Sequence, residues 1–262
     1  MKWEELTSEE LKKAAEEGLV AILPLGSLEI HGPHLPLGTD AMAIYRLAVE
    51  ASQREPAVVL PPLYYTCVVE NRHFPGTISI RALLLFKLLS EICNEVARNG
   101  FRKILILNGH GGNRRILRLF VRELLWKRHP YQLYVLYDPW APIQDVINKL
   151  KETKEIGHAC EIETSYMLYL FPDLVKLERV KGPASTGTTP SIPNVETPID
   201  WPSLCVSGYL GDPRKASVDK GRILFEQWVS RVAKILRLIK EDKIVEQVLD
   251  RYFNRVRGGM IR

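Results

Sequence analysis

Short apolar runs alternate with amphipathic stretches along most of the chain. "LVAILPLG" (19–26), "AVVLPPLYY" (57–65), the apolar run 104–107 within "KILILNGHGGN" and "YQLYVLYDPW" (131–140) are too short for helices and are bounded by turn residues, so they read as buried strands. Between them, apolar positions three and four apart predict helices. The first runs from Thr7 to Glu17, opens on "TSEE" and is stopped by Gly18. A second starts at Thr39 or Asp40, either of which can cap it, and reaches about Gln53; a third runs from Arg81 to Asn99 and ends at Gly100. Arg114 to about Arg128 is a fourth, and residues 104–137 thus form a strand–helix–strand unit of the length a parallel crossover needs. His158 to Tyr169 and Ser217 to about Lys240 read as further helices, the last followed by a basic tail. The stretch from Lys181 to Ser217, rich in Pro, Gly, Ser and Thr, reads as an ordered surface excursion or a flap over a site. This alternation predicts an α/β layered fold with a mostly parallel sheet, occupying residues 1–262 as a single domain.

Composition narrows the function classes. The 262 residues are 46% hydrophobic and 26% charged, enough to build a core without a disulfide or a metal staple. The net charge of +5 is scattered, with no run of five Lys/Arg and no basic stripe interleaved with aromatics, so a nucleic-acid partner is not expected. Cys67, Cys93, Cys160 and Cys205 include no CxxC pair, which removes zinc-ribbon and thioredoxin chemistry. The charged N-terminal segment does not resemble a signal peptide, and no apolar run reaches the length of a membrane span. The expectation is a cytoplasmic protein with reduced thiols and no membrane partner.

In open parallel sheets ligands bind beyond the carboxyl ends of the strands. The polar clusters of this sequence fall at such places: Glu29 and His31 after the first run, Glu70 and His73 after the second, His110 after the third and Trp140 after the fourth. Glu29 and His31, two apart on extended backbone, point the same way, and a carboxylate beside an imidazole suits a divalent metal. Asp40, at a helix start, can bridge two metals or simply cap the helix. "NGHGGN" (108–113) is neither a GxGxxG fingerprint nor a Walker loop, so His110 reads as a ligand given room by its glycines; a phosphate-cradling turn is the competing reading. In "HACEIETS" (158–165), His158 and Glu161 share a face if the segment is helical, while Glu163 lies on a neighbouring one. His34 reads as a supporting residue and His129 as an exposed helix end.

Together "LPLGSLEIHGPHLPLGTD", "HFPGTIS", "NGHGGN" and "HACEIETS", in this order and spacing, resemble the creatininase family of metal-dependent amidohydrolases. The resemblance covers most of residues 20–170. It implies a three-layer α/β/α fold, a centre of two divalent metal ions (Zn, Mn or Fe), a small-molecule substrate and a homo-oligomer, often a hexamer. Carried over by position, it implies Glu29, His31, Asp40 and His110 as metal ligands, with Asp40 bridging. Creatininase itself has a ligating Glu two residues after the histidine matched by His110, where this chain has Gly112. Glu161 is taken as the substitute ligand, with Glu163 as the alternative. His158 matches a proton-shuttling histidine that Glu163 would support, and Glu70, His73 and Trp140 are the candidates for substrate contact. Lys154, in place of the tryptophan four residues before that histidine, argues against creatinine itself. Family branches cleave formamido groups, trim the mycofactocin precursor peptide or open a cyclic keto-inositol. The expected reaction is hydrolysis of a C–N bond in a small amide or cyclic amide, with ring opening of a keto-inositol as the runner-up.

Overall fold

A computed structural model of the chain describes residues 1–188, 192 and 194–258; the expected single domain of residues 1–262 therefore extends, at its last four positions, outside the described residues. Its centre is a parallel four-stranded sheet in the order β2-β1-β3-β4, from β1 (Val20–Leu25), β2 (Ala57–Val59), β3 (Lys103–Asn108) and β4 (Gln132–Leu136). Every residue of β1 is buried, which explains why it reads as an unbroken apolar run rather than an alternating one. Alternate side chains of the strands enter two separate cores. Val20, Ile22, Val59, Leu105 and Leu107 face α2 (Thr39–Arg54), α6 (Glu161–Leu170) and α8 (Val218–Glu241). Ala21, Leu23, Val58, Ile104 and Ile106 face α1 (Ser8–Glu16), α3 (Ala82–Arg98) and α4 (Asn113–Glu123) on the other side. The expected three-layer α/β/α architecture is present.

The local signals behave as their chemistry predicts in most places. Thr7 and Glu10 form a reciprocal capping box on α1, and Gly100, at φ +99°, ends α3 in the left-handed region. Three elements differ from the sequence reading. The run 57–65 holds only a three-residue strand, because Pro61 and Pro62 have no N–H to give the ladder. Helix α6 begins at Glu161, so His158 precedes it in a bent segment, with Ala159 at φ +46°, and shares no helical face with Glu161. The basic tail is a helix, α9 (Ile244–Arg257): Val245, Leu249 and Phe253, four apart, make an apolar stripe that the surrounding charges obscure. Two short helices lie in segments for which none was expected, α5 (Gln144–Leu150) and, within the 181–217 excursion, α7 (Asp200–Leu204). None of the described helices is long and apolar enough to cross a membrane.

The chain leaves β1 for β2 on one side and then crosses to β3 on the other. The carboxyl ends of β1 and β3 therefore flank the point where strand order reverses, the place such sheets use for ligands.

Candidate metal centre

Helix α2 enters this crevice with its first turn, and two glycines let it in. A Cβ on Gly26, just past β1, would meet the Cα of Ala41 at 2.3 Å; one on Gly109, just past β3, would meet the Asp40 carbonyl oxygen at 2.8 Å. Thr39 and Asp40 do not cap α2. Gly38 occupies the cap position, Thr39 Oγ1 donates to the Pro36 carbonyl, and the Asp40 carboxylate is free to point between the strand ends. Gly26→Ala is expected to push α2 away from β1, costing about 1–3 kcal/mol of stability as an overpacking change and weakening metal retention. Urea denaturation and metal analysis check it, and a variant with wild-type stability and metal content would contradict the packing argument.

Five buried titratable side chains, Glu29, His31, His110, His158 and Glu163, converge around Asp40. His31 Nε2 lies 3.1 Å from Asp40 Oδ1 and 3.9 Å from Glu163 Oε2. His110 Nδ1 lies 3.0 Å from Asp40 Oδ2 and 2.6 Å from Glu29 Oε1. Glu29, His31 and His158 form one set of donors able to hold a metal ion, Glu29, Asp40 and His110 a second, and His31, Asp40 and Glu163 a third. Asp40 thus offers one oxygen to each of two neighbouring sets. Buried nitrogen and oxygen donors of this kind fit Zn, Mn or Fe better than Ca or a thiolate-seeking ion. The fit extends to the surroundings. His31 Nδ1 lies 3.2 Å from the Glu29 carbonyl oxygen, which leaves Nε2 as the atom that faces Asp40. Ser27 Oγ reaches both Glu29 (3.1 Å) and Asp40 (2.8 Å), and Asn71 Nδ2 donates to Glu29 Oε2 at 2.5 Å.

Charge in this cluster is set by mutual support against burial. Burial opposes the charged form of His31, but Asp40 and the neighbouring carboxylates raise its pKa to about 10. Burial likewise opposes charge on His110, and Glu29 and Asp40 hold it well above the usual imidazole range. Glu29 and Asp40, despite burial, are held below the ordinary carboxylate range by His110 and His31 respectively. Glu163 goes the other way: burial, aided by Asp40, pushes it up to about 8 against the pull of His31. Burial and the charge on His31 depress His158 to about 4, so it is neutral at pH 7; with Nε2 2.7 Å from the Ile30 carbonyl, its hydrogen sits on Nε2 and Nδ1 is the free acceptor.

The sequence candidates divide as follows. Glu29, His31, Asp40, His110, His158 and Glu163 come together. Glu161 does not: its Oε1 accepts from the Glu152 and Thr153 backbone and from Thr153 Oγ1, and its Oε2 pairs with Lys220 at 3.0 Å, so this fully buried carboxylate clamps the chain before His158 to α8. Glu161, expected to complete the ligand set, stands in none of the three donor sets, whereas Glu163 stands in one. On a helix that starts at residue 161, the two side chains diverge, and only Glu163 turns toward the cluster, its Oε2 also accepting from the Ala159 N–H. Glu70 Oε1 stands 3.7 Å from His110 Nε2, in the space that a side chain at Gly112 would occupy. Trp140 is packed in the apolar core with Ile143 and Tyr166, and His73 is exposed against Phe74 at 4.1 Å, so neither joins the cluster. His34 is buried, with Nε2 2.9 Å from Thr164 Oγ1. Ser27, Asn71 and Trp201 were not legible as site residues. Ser27 lies inside the first quoted motif and Asn71 just before the second, whereas Trp201 lies far along the chain in the Pro/Gly-rich excursion.

Comparison with known proteins identifies the family. Residues 4–236 match the family model for creatininase, described as creatinine amidohydrolase. The chain is 31% identical over 249 residues to creatinine amidohydrolase of Pseudomonas putida, covering 89% of this chain and 95% of that one. It is 30% identical over 230 residues to the mycofactocin precursor peptide peptidase of Mycolicibacterium smegmatis, covering 86% and 87%. A solved structure of creatininase with Mn superposes with a TM-score of 0.78 at 29% identity, over 92% of this chain and 99% of that one. The chain belongs to the creatininase family and is, like its relatives, a hydrolase.

Proposed function

We propose that the protein hydrolyses a C–N bond in a small amide or cyclic amide, using two divalent metal ions held by Glu29, Asp40 and His110 on one side and by His31, Asp40 and Glu163 on the other. The observation that carries this reading is the placement of Asp40, whose two oxygens face two different histidines, each accompanied by a second carboxylate. Metal ions bound there would supply Lewis acidity toward a carbonyl oxygen and make water nucleophilic at neutral pH.

The chain's own residues do the rest. His158, neutral with Nδ1 free, takes a proton at that atom and returns it to the departing nitrogen. Its ring stands 4.4 Å from that of His31, close enough to act on a substrate held at the cluster. The bond to the Ile30 carbonyl keeps the imidazole in one tautomer. Glu70 is placed to hold the far side of His110, whose Nε2 has no hydrogen-bond partner among the described residues and lies 3.7 Å from Glu70 Oε1. That Lys154 replaces an aromatic of creatininase, and that the chain is also 30% identical to a peptide peptidase, favour an amide other than creatinine.

Metal analysis combined with hydrolysis assays on a panel of small amides, lactams, formamides and short peptides tests the reading. Zn, Mn and Fe are each restored to chelator-treated protein, and a cyclic keto-inositol is included as the ring-opening alternative. Metal-dependent release of an amine or ammonia is expected; full activity in metal-free protein would overturn the proposal.

Proton competition gives a further expectation. In the metal-free protein at pH 7 both His31, with a pKa near 10, and His110 carry protons that a metal must displace. Metal uptake is therefore expected to release protons, and apparent affinity to rise with pH through neutrality toward about 10. Chelator competition across pH checks this, and an affinity that stays flat from pH 6 to 8 would contradict it.

A further inference from the structure

Asn71 sits between the cluster and a residue for which the proposed chemistry has no use. Its Nδ2 donates to Glu29 Oε2 at 2.5 Å, and its Oδ1 accepts from the indole Nε1–H of Trp201 at 3.0 Å. Asn71 is 1% exposed, and Glu29 is fully buried. An amide can turn by half a rotation at little cost unless both ends are engaged. Here the indole N–H, a donor only, fixes the oxygen end and thereby aims the NH2 end at the carboxylate. In the opposite orientation the amide oxygen would face Glu29 and the NH2 would face the indole N–H, losing both bonds inside the protein.

The same tryptophan reaches the other side of the cluster. Its ring meets His158 edge-on, with centroids 5.8 Å apart and planes at 78°. Trp201 lies on α7, in the excursion, and that segment is bound to both site loops: the Gly32 N–H donates to the Gly208 carbonyl at 2.7 Å, and the Leu210 N–H donates to the His158 carbonyl at 2.8 Å. The segment that carries the indole is therefore tied by backbone bonds to both sides of the crevice, and the indole itself is fixed by its bond to Asn71 and its edge contact with His158.

We infer that Trp201 is a positioning residue of the metal centre, acting through Asn71 to hold Oε2 of Glu29 so that Oε1 is presented to the metal-binding side near His110. This rests on the proposed reading of Glu29 as a ligand and extends it to a residue remote in sequence. Nothing in the spacing of the motifs contains it.

Affinity for Zn²⁺ and for Mn²⁺, measured by competition with a chromophoric chelator on the full-length protein, tests the link without any substrate. Asn71→Ala removes the direct partner of Glu29 and is expected to weaken binding by roughly 10–100-fold. Trp201→Phe keeps an aromatic ring beside His158 but deletes the N–H, and is expected to weaken binding by about fivefold, the worth of one neutral hydrogen bond. The double variant is expected to bind as Asn71→Ala alone, because the indole acts only through that amide. Thermal unfolding of the metal-free variants, expected to match the wild type within a few degrees, separates positioning from folding. Wild-type uptake with unchanged affinity in Trp201→Phe, or a full additional loss when that change is added to Asn71→Ala, would overturn the link alone. A wild-type protein that takes up neither ion would overturn the metal centre and the link with it.

Discussion

Replacing Asp40 with asparagine is expected to leave the chain folded but unable to retain a divalent ion, and to lower amide hydrolysis by about 10³-fold or more, the several kcal/mol that metal assistance supplies. Among the described residues only Asp40 has oxygens facing both proposed ion positions, 3.1 Å from His31 and 3.0 Å from His110. Asparagine has nearly the same shape, so α2 should still pack through Gly26 and Gly109, but it offers one neutral oxygen in place of two that share a negative charge. In the metal-free protein the change also removes the main support for the charged form of His31. The raised pKa of His31 makes a stabilising contribution that is present below about 6.5 and is lost as pH rises through about 10. Asp40→Asn should therefore destabilise the metal-free protein more at pH 6 than at pH 10. Metal content by elemental analysis, activity and denaturation at the two pH values are the measurements. Retained metal at wild-type stoichiometry would refute the shared role of Asp40.

The second large effect separates two glutamates that lie two residues apart. Glu163→Gln is expected to lower metal affinity at least tenfold while barely changing the stability of the metal-free protein at pH 7. Its carboxyl, pushed up to about 8 by burial, is largely protonated there, so a neutral amide is a close substitute until a metal demands the charge. Glu161→Gln is expected to behave in the opposite way, with unchanged metal affinity and a stability loss of about 2–3 kcal/mol. That figure lies below the usual cost of breaking a buried ion pair because Lys220 keeps Glu152 at 2.5 Å. Chelator competition and urea denaturation on both variants give the comparison. Loss of metal in Glu161→Gln with retention in Glu163→Gln would reverse the assignment.

The fold was legible in the sequence because its signals are local. Unbroken apolar runs such as 19–26 mark strands buried on both faces, and Gly18 and Gly100 stop helices wherever they occur. Signals failed where a local pattern had two outcomes. The prolines at 61 and 62 cut the second run short, and the Val245, Leu249 and Phe253 stripe was hidden among charges. Neither error moves the strand ends that carry the site.

By itself the sequence determined a layered α/β architecture with a parallel sheet and the segments that meet at the cluster, with Glu29, His31, Asp40 and His110 among their residues. These groups are chemically conspicuous and sit just beyond predicted strand ends, where an open parallel sheet brings chain segments together. The tertiary structure alone decided which of Glu161 and Glu163 faces the cluster, because that depends on the residue at which α6 begins and on Lys220 arriving from α8 to pair with Glu161. It also decided that Trp140 belongs to the core and that Trp201, 130 positions from Asn71, borders the cluster. A side chain's type can be read along the chain; the direction in which it points, and the distant partner that meets it, exist only once the elements have packed.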